Sequence, residues 1–166
     1  MIEREEIVRN AVRPTAELMA ASAITAPKAR GVDNIEVKIL DERAELEALA
    51  SRMEELAPLY GDFFKRDAGS VRSSHAVLLI GCRIVDFNLR KPEDYPLDPS
   101  IVCSLLNLGI AVGSAVKTAS NLNIDNRVMY SIGVAARSLG LMSSDIVIGI
   151  PLSIHGKNIY FDRKAV

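Results

Sequence analysis

The run His75-Ala76-Val77-Leu78-Leu79-Ile80-Gly81 constrains this chain more than any other segment. Past its histidine it is apolar at every position. Successive strand residues point to opposite faces, so such a strand must be covered on both sides. A fold built around it therefore needs helices in front of the sheet and behind it.

The flanking sequence supplies those helices. Ile7, Val8, Ala11, Val12, Met19 and Ala23 recur at helical spacing. Pro14 lies inside that pattern, as a kink or as the first turn of a second helix. The signal ends at Thr25-Ala26-Pro27, because a residue before proline is biased away from helix, and a loop runs on to Gly31. Ile35, Val37 and Ile39 alternate with Glu36 and Lys38, as in a strand with one solvated face. Asp41 reads as the N-cap of a helix carrying Leu46, Leu49, Met53 and Leu56. That helix stops between Pro58 and Gly61, and a short helix spans Phe63 to Arg72. Asp86 to Pro99 is rich in proline and charge, and is the one long irregular segment. Ser100 to Ser120 reads as an apolar helix, with Gly109 and Gly113 on one face for close packing in a core or a dimer. Asp125 caps a further helix that closes at Gly140. Ile146 to Leu152 is a second buried strand, and His155-Gly156-Lys157-Asn158 turns into a last strand at Ile159-Tyr160-Phe161. The expected fold class is α+β, one domain over residues 1–166, with a small, mainly antiparallel sheet and helices packed around it.

Composition removes several functions. A net charge of -1, with no basic run, speaks against nucleic-acid binding. Four Tyr, four Phe and no Trp speak against a base-stacking platform. The uncharged stretch from Pro99 to Val116 is broken by serines, glycines and an asparagine, and reads as a buried helix, not a membrane span. Residues 1–10 show no secretory pattern, so the expectation is a cytoplasmic protein with reduced thiols. The two cysteines, Cys82 and Cys103, cannot supply four ligands to a closed zinc or iron–sulfur site. Neither His75 nor His155 belongs to a nucleophile triad or metal motif, so no metal site is expected.

Several blocks carry a resemblance. Leu108-Gly109-Ile110-Ala111-Val112-Gly113-Ser114-Ala115-Val116-Lys117-Thr118-Ala119 is one, and Asp125 to Arg137 is another. Gly149-Ile150-Pro151-Leu152-Ser153 with Gly156 to Arg163 is a third, preceded by Thr25 to Asp33 and Phe63 to Ala68. Together they resemble the family of uncharacterised ferredoxin-domain-containing proteins. That family carries a Cys-Gly-x-Cys-Gly-x-x-x-Cys run and a further cysteine before the long helix. Here only the last stands, as Cys103; segment 86–99 replaces the rest, and Cys82 lies too early. No iron–sulfur cluster is expected, since carboxylates and lysine do not replace three soft thiolates. More distantly, the layout is similar to the nitroreductase-like flavoprotein fold, which implies FMN bound at a homodimer interface.

Against that resemblance the polar residues take candidate roles. Lys28 and Arg30, in the Pro/Gly loop, are either a clamp for the FMN phosphate or two solvated loop charges. Asn126 and Arg127 are either polar contacts to the flavin ring or ribityl chain, or parts of a helix cap. Lys117 and Lys157 read as solvent-facing, and Cys82 and Cys103 as small buried hydrophobes. Two functions follow: an FMN-dependent oxidoreductase with no nameable proton donor, or a non-catalytic interaction or scaffold protein that has lost its family's cluster.

Overall fold

The computed structural model describes residues 1–161 of the chain. Asp162 and Arg163, the end of the third resemblance block, lie outside the described residues. Helix α1 (Arg4–Thr25) leads through a 3-10 turn at Ala29–Gly31 to β1 (Ile35–Leu40). Helices α2 (Arg43–Tyr60) and α3 (Phe63–Arg72) return the chain to β2 (Ala76–Cys82). Then come α4 (Pro99–Asn121), a two-residue strand β3 (Asp125–Asn126), α5 (Tyr130–Ser138) and β4 (Ile146–Ser153). The sheet order is β1-β2-β4-β3, antiparallel throughout.

The central strand behaves as its sequence requires: all seven residues of β2 are buried. Leu78 and Ile80 face a core made with α1 and α4, and Val77 and Leu79 face one made with α2, α3 and α5. The two helical layers come from the alternation of one strand. Helix α5 lies directly on the β4 backbone. A Cβ on Gly133 would sit 1.7 Å from the Val147 carbonyl oxygen, so only glycine fits there.

Four expectations need correction. First, Pro14 neither breaks α1 nor starts a second helix. It lies on the exposed side with Asn10, so the carbonyl it cannot bond faces water. Second, Asp41 is not the N-cap of α2: Glu42 holds that place and its N–H donates to Glu45 Oε2 at 3.2 Å. Asp41 instead pairs with Arg13 across 3.2 Å. Third, Asp125 caps no helix. It pairs with Ser153 in the sheet, and α5 starts five residues later behind Met129. The Asp-Asn pair has no strand signature of its own; the open edge of β4 draws it in. Fourth, Ile159 to Phe161 form bends, not a strand. Tyr160 leaves the sheet to bury its ring, and its hydroxyl lies 2.8 Å from Ser74 Oγ. The solvated face expected of β1 is also partly covered. The Glu36 carboxylate accepts four hydrogen bonds, of 2.8–3.1 Å, from the N–H and hydroxyl groups of Ser143 and Ser144.

Candidate functional site

Lys28 and Arg30 sit at the end of the sheet where β1 begins and β2 finishes. Helix α1 ends on carbonyls with no intrahelical partner. The Lys28 ammonium folds back onto them, bonding the Ile24 carbonyl and the Ala26 carbonyl at 2.9 Å, with Asp33 at 3.9 Å. Arg30 takes a left-handed φ of 53° in the 3-10 turn. From there its guanidinium donates to the Phe87 carbonyl at 2.7 Å, which anchors the irregular segment. A relay of amides fixes the loop to the scaffold. The Ala29 N–H donates to Asn107 Oδ1 at 2.8 Å, Asn107 Nδ2 to Asn34 Oδ1 at 2.9 Å, and Asn34 Nδ2 to the Arg83 carbonyl at 2.7 Å.

Asn126 and Arg127 lie at the opposite end. Cys82 pairs with Ile35 at one extreme of β2, and Ala76 at the other pairs with Leu152, the partner of Asn126. A strand of that length separates the two polar clusters by roughly 20 Å. Within one chain they do not form one pocket. Asn126 Nδ2 donates to the Ile124 carbonyl at 3.0 Å. Arg127 donates to the Tyr160 carbonyl at 2.7 Å and stacks over the Phe161 ring at 5.2 Å. Asn158 Nδ2 reaches Asp125 Oδ1 at 2.9 Å. A polar cavity of about 290 Å³ lies beside them, walled by Asn123, Asp125, Asn126 and Asn158 and not by Arg127. Between α3 and α5, the buried Asp67 carboxylate accepts from the Ser131 hydroxyl at 2.6 Å and from Arg66 at 2.7 Å.

Helix α4 joins the two ends. Ala111, Ala115 and Ala119 face the core, while Leu105, Leu106 and Ile110 are exposed. Gly109 and Gly113 share the exposed side, with open space where a Cβ would go. By length and composition α4 is apolar enough to cross a membrane; here it packs against the sheet. Cys103 is half-buried in its second turn, and Cys82 is buried at the end of β2. Burial, with Asp145 nearby, pushes the Cys82 thiol up to about 11, so it stays protonated at neutral pH. Lys117 and Lys157 are exposed, as expected.

The histidines are what sequence reading missed. His75 precedes β2 and His155 follows β4, and the antiparallel register brings their rings to 4.8 Å. His155 Nε2 lies 3.0 Å from the Ser73 carbonyl, and His75 Nδ1 accepts from the Ile154 N–H at 3.4 Å. Both termini of a strand pair are polar here, and the only sequence signal was that each histidine borders a buried strand.

Comparison with known proteins gives three findings. Residues 97–163 match the family described as uncharacterised protein containing a ferredoxin domain (DUF2148). An uncharacterised protein of Archaeoglobus fulgidus is 41% identical over 98% of this chain and 97% of its own. Among solved structures, a nitroreductase with bound FMN from Desulfitobacterium hafniense aligns with TM-score 0.62 at 16% identity, covering 87% of this chain and 78% of its own. A putative NADH dehydrogenase/NAD(P)H nitroreductase from Bacteroides thetaiotaomicron aligns with TM-score 0.61 at 13% identity, covering 87% and 75%. The fold is nitroreductase-like.

Proposed function

The chain belongs to the family of uncharacterised proteins containing a ferredoxin domain, and from that membership and its nitroreductase-like fold we propose a redox-related homodimer that binds FMN where its two copies meet. The observation that carries this reading is the outer face of α4. Leu106 is 58% exposed and Ile110 42%, on a helix whose glycines leave room for a second backbone. Contiguous apolar surface of this kind marks an association site. A two-fold contact along α4 is isologous, so each patch meets its own copy.

That contact also answers the separation of the polar clusters. Asn107, in the first half of α4, holds the Lys28 loop, and the C-terminal end of α4 runs into Ile124 and Asn126. Antiparallel pairing of two α4 helices places one copy's Lys28 loop toward the other copy's Asn126 end. Lys28 and Arg30 would then hold the FMN phosphate, and Asn126 and Arg127 the ribityl chain or ring edge. Donors remain: the Lys28 ammonium, on a side chain 6% exposed and 3.9 Å from Asp33, has one N–H beyond its two carbonyl bonds, and among the described residues both guanidiniums bond through a single nitrogen. When bound, the flavin supplies the electron chemistry of an FMN-dependent oxidoreductase; these side chains orient it and exclude competing reactions.

Titrating FMN into the purified protein, followed by flavin fluorescence, should give saturable binding at micromolar concentration, with a dimeric mass in sedimentation. Absence of saturation overturns the flavin reading. A non-catalytic scaffold is favoured by the internal bonds that already occupy Lys28 and Arg30; a dimer that ignores FMN would be its signature. The reading includes no iron–sulfur cluster, because two thiols are too few. Stoichiometric iron and sulfide in anaerobically prepared protein would reverse that. Unpaired cysteines also fit a reducing, cytoplasmic setting. No nucleic-acid or membrane partner is invoked.

A further inference from the structure

We propose that the trough between the N-terminal half of α1 and the start of β2 is an anion site for a diphosphate group, with Arg9 and His75 at its centre. Two cavities, of about 590 and 480 Å³, adjoin there, and both are walled by Arg9 and His75. A linear dianion of two linked phosphates matches two adjoining cavities better than a single phosphate does.

The cations differ in availability. On the first cavity's wall, Arg13 is taken by Asp41 and Glu17, Arg72 by Glu47 and Glu54, and Arg43 by the Arg72 carbonyl and Glu47. Arg4 and Arg9 make no ion pair or hydrogen bond among the described residues. Their guanidiniums are free forks of the kind that grip phosphate bidentately. The carboxylates facing the trough are Asp41, already paired, Glu42, at the head of α2, and Glu5, at the outer mouth. With the carboxylates that pair Arg13, Arg43 and Arg72 counted, the charges left unpaired among the described residues are Arg4 and Arg9 against Glu5 and Glu42, so the pull on an anion comes from two bare guanidiniums and from protonation of His75.

The histidines complete it. The Ile154 N–H fixes Nδ1 of neutral His75 as an acceptor, which leaves a proton on Nε2 with no acceptor among the described residues. Burial and the neighbouring His155 hold His75 below its ordinary pKa, so the free protein favours a neutral His75. An anion in the trough reverses that preference. Binding takes up a proton and strengthens as pH falls.

The test is calorimetric titration of the full chain with sodium pyrophosphate near pH 6 and near pH 8, alongside the ring-proton resonances of both histidines. We expect saturable one-to-one binding, about fivefold tighter at the lower pH, with the His75 resonance moving on binding. Arg9→Gln, an exposed change, should weaken binding about tenfold, in line with loss of one charge-assisted contact. His75→Gln should remove the pH contrast that wild type shows beyond the titration of the probe itself. ADP tests whether the group is read within a nucleotide; binding equal to or tighter than pyrophosphate supports that source, and weaker binding supports the free anion. Failure to saturate by about 10 mM pyrophosphate, far above the micromolar range of specific sites, overturns the proposal. So does equal weakening by Arg137→Gln on α5, or displacement of bound FMN, which would make the trough part of the flavin site.

Discussion

The two helical layers end differently at their outer surfaces. On the α2/α3 side, charges close the structure: Arg72 bridges Glu47 and Glu54 at 2.8 and 2.5 Å, and Arg52 meets Glu55 at 2.8 Å. On the α4 side, Leu105, Leu106 and Ile110 stand where those charges would be. Both layers bury comparable apolar faces against the same strand. The first layer meets solvent largely with paired charges, its exposed apolar side chains Leu59, Tyr60 and Phe63 gathered at the α2–α3 junction, and the second meets it with an apolar helix face, the face used by the proposed contact.

The sharpest break of the closed layer is Gly133→Val. The α5 helix has no room for a Cβ beside the Val147 carbonyl, and backbone cannot yield as a side chain can. The expected result is loss of soluble, folded protein or a fall in unfolding free energy of about 4 kcal/mol or more, read from urea denaturation. Gly113→Ala on α4 is its counterpart. It meets open space within the chain, so the monomer should gain up to about 1 kcal/mol of helix stability.

The open layer is broken by Leu106→Glu. A carboxylate at the middle of an apolar isologous contact is buried twice, once per copy. Dimer affinity should fall by about 100-fold, or about 2.7 kcal/mol, while thermal unfolding of the dilute protein stays within about 0.5 kcal/mol of wild type. Sedimentation across a concentration series measures the first and calorimetry the second. An unchanged monomer–dimer equilibrium would place the contact elsewhere.

Much of this contrast was legible in the sequence. The run from Ala76 to Ile80, the Phe63–Arg72 helix and the α4 helix came through because each has one strong, uninterrupted period over its whole length. What was lost was decided by neighbours. Asp125 and Asn126 look like caps, and only the free edge of β4 makes them a strand. Ile159 to Phe161 alternate like a strand, yet Tyr160 gains more by burying its ring against Ser74. Lys28 and Arg30 stood out as free loop cations, but a helix end and the Phe87 carbonyl, invisible in the chain order, already engage them. The histidine pair needed the register of β2 with β4 before it existed at all.

Acid should have a smaller effect, through two side chains at the sheet that both layers share, His75 bordering β2 and Glu36 on β1. The His75 ring has its pKa lowered in the folded state by burial and by His155. The unfolded chain then binds the proton more readily, so stability falls as pH drops below the ordinary histidine value near 6.5. Burial also works against ionised Glu36, but the four hydrogen bonds from Ser143 and Ser144 outweigh it and its pKa is lowered. Its contribution is present above the ordinary value of 4.5 and is lost as pH falls through the folded value. Stability should therefore decline in two steps, the upper flattened by His75→Gln and the lower by Glu36→Gln. A single step below pH 4.5 that ignores His75→Gln would show that the ring is not desolvated in solution.

The least effect is expected on the charged surface that closes α2. Arg52 donates to Glu55 one turn away and to the Ser138 hydroxyl at 2.9 Å at the end of α5. Its side chain remains 35% exposed, so water and salt screen most of the attraction. Arg52→Gln keeps the stem that covers the helix surface and removes only the charge. The expected loss is about 0.5 kcal/mol or less, shrinking further in high salt. A loss above about 1.5 kcal/mol that persists in salt would mean that the bond to Ser138, not water, finishes this layer, and the contrast with α4 would narrow to a matter of which partner each face has.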